Sequence, residues 1–256
     1  MLFRWFRQRR HKRITARPFP AAWVEILDIN AGFIHDRSEA YQTKIRQAIQ
    51  IIVAEKNWEG CGGLKLTDEH RVTIAAQMAR MTVKFQADYF DDVLSILIYP
   101  AAYLARSQKQ IAGGIIIEGN DGRLGEAWHR GPVILSWADV LDSVRDPFAN
   151  RNVVIHEFAH QLDMRNGGQA DGFPAIESLT TASRWAQVMP AAFAELQVLC
   201  QQHQPTILDC YGATSQAEFF AVASESYFES PEALEFQWPA VFLLLDEFYS
   251  NRDTKD

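Results

Sequence analysis

Apolar residues recur at helical spacing along much of this 256-residue chain, and the stretches between them are sharply punctuated. From Ser38 to Lys56 the residues Tyr41, Ile45, Ala48, Ile49 and Ile52 fall on one face, which predicts a helix with one side against a core. Trp23 to Ile29 reads as a shorter helix before it. Gly60-Cys61-Gly62-Gly63 breaks the chain, and Thr67 then caps a helix opened by Asp68 and Glu69. That helix turns Ile74, Met78 and Met81 inward as core filler.

The middle of the chain changes period. Val93 to Tyr99 forms a strand-like run ending at Pro100; Ile115-Ile116-Ile117 precedes the turn signal Gly119-Asn120-Asp121-Gly122. Val133-Ile134-Leu135 is a third run, between Pro132 and Trp137. After Pro147 the helical period returns. One helix is expected from near Asn150 to a glycine cap at Gly167-Gly168, and one from about Thr181 to Gln202, kinked or split at Pro190. Two more run from about Ser215 to Glu229 and Pro239 to Tyr249. The fold class is therefore α+β, a small mixed sheet followed by a predominantly helical C-terminal half.

With 48% hydrophobic and 22% charged residues, the chain has the balance of a globular domain. No apolar run approaches the ~18 residues of a membrane span; Val241-Phe242-Leu243-Leu244-Leu245 is far too short. Cys61, Cys200 and Cys210 are sparse and lack metal spacing, which suits buried free thiols in a reducing, cytoplasmic setting. Charge is segregated. Arg4, Arg7, Arg9, Arg10, Lys12, Arg13 and Arg17 meet no acid before residue 25; setting these seven aside from the net charge of −7 leaves −14 for the remainder. Residues 1–18 read as a basic, solvated tail ahead of a single domain over 19–256. Leu2, Phe3, Trp5 and Phe6 among the arginines could touch nucleic acid or an acidic membrane, but no nucleic-acid recognition module follows and the body is acidic.

The candidate chemistry lies in His156-Glu157-Phe158-Ala159-His160. On a helix, residues i and i+4 share a face, so both imidazoles reach one zinc ion. Glu157 points about a quarter-turn away, within reach of a water on that ion. The surrounding run from Val153 to Leu162 is apolar, and burying this triad without a partner would cost several kcal/mol, on the order expected for unpaired polar groups. A third ligand is needed, with the fourth position left for water. Glu218 on the downstream apolar helix is preferred, although Ser215-x-x-Glu218 is also a capping box; Glu225, Glu177 and His203 are rivals. Asp163, three residues after His160, could accept the outer N–H of a ligand histidine.

Two segments carry a resemblance. His156-Glu157-Phe158-Ala159-His160-Gln161-Leu162-Asp163 and Tyr211-Gly212-Ala213-Thr214-Ser215-Gln216-Ala217-Glu218-Phe219-Phe220-Ala221 are similar to those of the Mlc titration factor A family, bacterial cytosolic zinc metallopeptidases of the gluzincin type. The same segments resemble the catalytic domain of anthrax lethal factor. The likeness implies a zincin-like metallopeptidase domain and one zinc per chain on His156, His160 and Glu218. It also implies Glu157 as general base and Tyr211 beside the reacting carbonyl. Val222 departs from thermolysin-like gluzincins, which carry an acidic residue four positions after the third ligand. The resemblance implies aminopeptidase-like cleavage of peptides and binding of the glucose repressor Mlc. Gly131 to Trp137 could supply the strand along which an extended substrate aligns. A zinc protein that only titrates a transcription regulator is the competing expectation.

Overall fold

The computed structural model describes residues 2–83, 85, 89–101, 131–146 and 150–250. In chain order the first elements are α1 (Leu2–Thr15), α2 (Ala21–Asn30), α3 (Glu39–Glu55), β1 (Asn57–Gly60), α4 (Asp68–Thr82), β2 (Ser95–Tyr99) and β3 (Val133–Ser136). Then follow α5 (Trp137–Arg145), α6 (Val153–Asp163), α7 (Leu179–Gln201), α8 (Gln216–Glu229), α9 (Pro231–Gln237) and α10 (Pro239–Ser250).

The apolar spacing is borne out where it is strongest. Ser38 Oγ accepts the Tyr41 N–H at 3.3 Å to start α3, which buries Ile45, Ala48, Ile49 and Ile52. Thr67 starts α4, its N–H donating to His70 Nδ1 at 3.2 Å. Helix α4 is buried around most of its circumference because α2, α3 and α6 all pack on it. The three strands lie in the order β1-β2-β3 and run parallel throughout, with Asn57 opposite Ser95 and Ile96 opposite Val133. An antiparallel member of the expected mixed sheet is not among the described strands; the Ile115–Ile117 run and its turn lie outside the described residues.

Three expectations are corrected. The N-terminal segment is not a frayed tail. It forms α1, which docks on α3: Arg7 pairs with Asp91, and Glu55 receives Arg10 Nε at 3.2 Å and His11 Nε2 at 3.1 Å. Helix α7 is not split at Pro190 but continues through it, because Trp185, Met189, Ala192 and Leu196 anchor both sides of the proline in the core. Cys200 and Cys210 form a disulfide rather than free thiols. After α7 the chain reverses through His203, held at a positive φ of 53°, and returns as a 3₁₀ turn over Cys210–Ala213 packed on α7. The Gly60–Gly63 break is present as expected, entered from strand β1, which ends at Gly60.

One continuous core joins the sheet to the helical half, with Trp185 fully buried near Phe220 and Phe248. Helices α6 and α8 cross within it, and α8 buries every residue from Phe219 to Ser226. That crossing positions the site.

Candidate metal centre

Asn152 opens α6, its Oδ1 accepting the Ile155 N–H at 3.1 Å. One turn later His156 and His160 stand on the same side, their rings 5.0 Å apart and 80° to one another. Ser215 opens α8 likewise, accepting the Glu218 N–H at 3.2 Å. The capping box is only half made, because the Glu218 carboxylate turns away from its own helix start. Its Oε2 lies 2.9 Å from His156 Nε2 and 3.3 Å from His160 Nε2. Cap and convergent carboxylate therefore coexist, the cap being the serine.

The expected trio thus meets, each residue offering one ligand atom within 4.8 Å of the others. Ligand atoms on a tetrahedral zinc with bonds near 2.0–2.1 Å stand about 3.3 Å apart, so the two spacings from Glu218 and the two-nitrogen, one-oxygen donor set suit such an ion. Electrostatics agree. Burial alone would raise the Glu218 pKa, but contacts with His156 and His160 outweigh it and hold the carboxyl at about 2. Burial disfavours the His156 imidazolium, yet Glu218 and Glu225 outweigh it and raise its pKa to about 10. The pocket is built for positive charge, which a divalent cation would provide in place of a proton.

Glu225 is not a member of the trio. Its Oε1 lies 2.7 Å from His156 Nδ1, on the far side of the ring from Glu218, and its Oε2 accepts the Asn152 N–H at 2.6 Å. It lies seven residues after Glu218 on the same helix. Glu177 and His203 do not join the cluster. Asp163 is also placed differently from expectation: its Oδ2 accepts the Gly172 N–H at 2.7 Å, and no hydrogen bond to His160 forms. His160 Nδ1 is buried without a hydrogen-bond partner among the described residues. Gly172 sits at φ +81°, and a Cβ there would come within 2.5 Å of Gln216 O, so only glycine brings this loop against the start of α8.

Glu157 shares the turn with His156. Burial raises its pKa, opposed by both imidazoles. Tyr211 rides on the 3₁₀ turn beside the disulfide, its ring 6.0 Å from that of His156 and 38% exposed. Sequence reasoning missed the support behind this site. Asn152 Nδ2 donates to Glu229 at 2.9 Å, and Glu229 also pairs with the buried Arg80 of α4 at 2.8 Å. The polar Asn152 directly before an apolar helical run was the available signal.

Comparison with known proteins agrees with the geometry. The family model for glucose-regulated metallo-peptidase M90 matches residues 3–250. A Synechocystis protein is 32% identical over 94% of this chain and 87% of its own length. Mlc titration factor A of Serratia proteamaculans is 32% identical over 90% of this chain and 86% of its own, and that of Yersinia pestis 31% over 90% and 84%. The chain belongs to this metallopeptidase family, and His156, His160 and Glu218 are residues that could hold its metal.

Proposed function

We propose that this M90-family chain is a zinc-dependent peptidase, with one zinc on His156, His160 and Glu218 and with Glu157 as general base. The observation that carries the reading is the convergence of two imidazole nitrogens and one carboxylate oxygen beside a further carboxylate that no ligand role requires. Bound zinc would polarise the scissile carbonyl and lower the pKa of water toward ~7. Glu157 takes the proton of the attacking water and delivers it to the leaving amine; its upward-shifted pKa suits both halves of that transfer. The Tyr211 hydroxyl donates to the oxyanion of the tetrahedral intermediate. Strand β3, at the edge of the sheet among the described strands, would offer its backbone to an extended peptide.

Aminopeptidase-like action on peptides is part of this reading, and the expected cytoplasmic setting has to accommodate the Cys200–Cys210 disulfide. No helix among the described residues is long and apolar enough to cross a membrane. The relatives' name supports a second role, binding of the repressor Mlc, with which peptidase activity is compatible. Glu157 separates the two, since a metal-holding titration protein needs His156, His160 and Glu218 but no base.

The test is metal content and peptide hydrolysis of wild type beside Glu157→Gln. The expected result is one zinc in each and a loss of turnover by several orders of magnitude in the variant, roughly what removal of a general base costs. Equal turnover would remove Glu157 from the mechanism, and no turnover in the zinc-loaded wild type would favour titration alone.

A further inference from the structure

The basic segment that the metal centre does not use is a formed and anchored surface. On the inner side of α1, Arg7 and Arg10 are matched to Asp91 and Glu55, and His11 is buried against Glu55. The outer side has a different make-up. Trp5 stands on it and is 51% exposed, and Phe6, 58% exposed, sits on the flank where it also lines the cleft of Arg7 and Arg10; the two rings are 5.0 Å apart and edge to face. Arg9 lies 5.3 Å over the Trp5 ring, and exposed Lys12 and Arg13 continue the same outward stripe at three- and four-residue spacing. Lys12, Arg13 and Arg17 form no ion pair among the described residues, and no acid precedes residue 25 in the sequence.

We propose that the outer face of α1 docks the protein on an anionic phospholipid surface, with Trp5 and Phe6 entering the headgroup boundary and Arg9, Lys12 and Arg13 meeting lipid phosphates. Two large aromatics left in water next to a stripe of cations match the layering of such an interface, where apolar side chains pass below the phosphate plane. The remaining sequence carries −14, so an anionic surface repels the body and attracts only this helix, which fixes the orientation of the docked molecule. A nucleic-acid surface would place aromatics between cations, so that bases stack while phosphates are held on both sides. Here Trp5 and Phe6 pack edge to face and Arg9 lies over the Trp5 ring, so that ring face is already taken and no row of open rings is left for bases. The inward ion pairs hold the helix in place, so docking needs no ordering of a loose segment. This surface is independent of the proposed peptidase reading.

The test is co-sedimentation of the full chain with vesicles of phosphatidylglycerol and phosphatidylcholine, and with phosphatidylcholine alone. The expected result is binding only to the anionic vesicles, reversed by high salt. Joint Arg9→Glu, Lys12→Glu and Arg13→Glu should weaken binding roughly 100-fold or more. Trp5→Ala with Phe6→Ala should weaken it roughly tenfold or more, with the charge intact. All five side chains are exposed, so circular dichroism and zinc content should match wild type, which separates loss of docking from loss of fold. Failure to bind anionic vesicles, binding unaffected by either set of substitutions, or tighter binding to single-stranded RNA or an acidic protein than to vesicles in the same buffer would each overturn the proposal.

Discussion

Glu225 and His156 are joined at 2.7 Å through Oε1 and Nδ1, which leaves the Nε2 of the same ring facing Glu218. Glu225 is itself held, since its second oxygen accepts the Asn152 N–H at the head of the helix that carries His156. Helix α8 therefore grips α6 twice through one carboxylate, at the ring and at the helix start. An acceptor on Nδ1 fixes the tautomer and makes Nε2 the better donor to a metal.

Glu225→Gln should keep the fold but weaken zinc affinity by roughly 10–100-fold, the usual cost of losing the outer partner of a ligand histidine. The amide still fills the space, but its one oxygen can accept only one of the two N–H groups that Glu225 holds, and it no longer carries the charge. Competition with a chelator measures the affinity, and unchanged binding would show that Glu225 only braces the two helices.

How much of this could be read in the sequence varies by element. The helices over Glu39–Glu55, Asp68–Thr82 and Gln216–Glu229 were legible because each buries a broad apolar face. His156, Glu157 and His160 were legible because five consecutive residues fix their relation on any helix. Glu218 and Glu225 were both visible as acids two turns apart, but which lies inside and which outside the ring depends on where α8 crosses α6. Strand β1 was not legible, since four residues with Trp58 alone as an apolar side chain carry no alternation. Helix α1 was not legible either: charged contacts to Glu55 and Asp91 tie it down, and these lie far away in sequence. The Cys200–Cys210 pairing needed the reversal at His203, which a lone exposed-type residue does not announce.

The disulfide closes a short loop whose end carries Tyr211. Removing it by Cys200→Ser with Cys210→Ser should lower stability by about 2–3 kcal/mol, from the loop-closure entropy of a bridge spanning a sequence separation of 10. Thermal denaturation of variant and wild type without reductant reads this directly. Equal melting temperatures would mean that packing of the 3₁₀ turn on α7 and α8 holds the segment unaided.

Tyr211 is 38% exposed, so it is not a packed core aromatic, and its substitution tests chemistry with little interference from folding. Tyr211→Phe should lower kcat and kcat/KM together, by roughly 10–10³-fold, because a hydrogen bond to the oxyanion forms mainly in the transition state. Zinc content should not change. Wild-type turnover in the zinc-loaded variant would exclude the hydroxyl from the reaction.

Asp163 gives a pH signature whose sign follows from its surroundings. Its side chain is fully buried, and burial raises its pKa from 3.8 to about 6 against the opposing hydrogen bond from Gly172. The folded state therefore holds this proton more tightly than the unfolded chain does. The stability it contributes is fully present below pH 3.8 and is lost as pH rises through about 6. A shift of this size corresponds to roughly 3 kcal/mol across that window. Asp163→Asn removes the titration while its side-chain oxygen can still accept the Gly172 N–H. Denaturant unfolding of both proteins between pH 4 and 7 should thus show the variant gaining on wild type by up to that amount as pH rises, then a constant difference above the window. Taking the difference cancels the titrations that the two proteins share, including those of the histidines. A flat difference across the range would place the Asp163 carboxyl at an ordinary pKa and leave it a purely geometric anchor for the Gly172 loop.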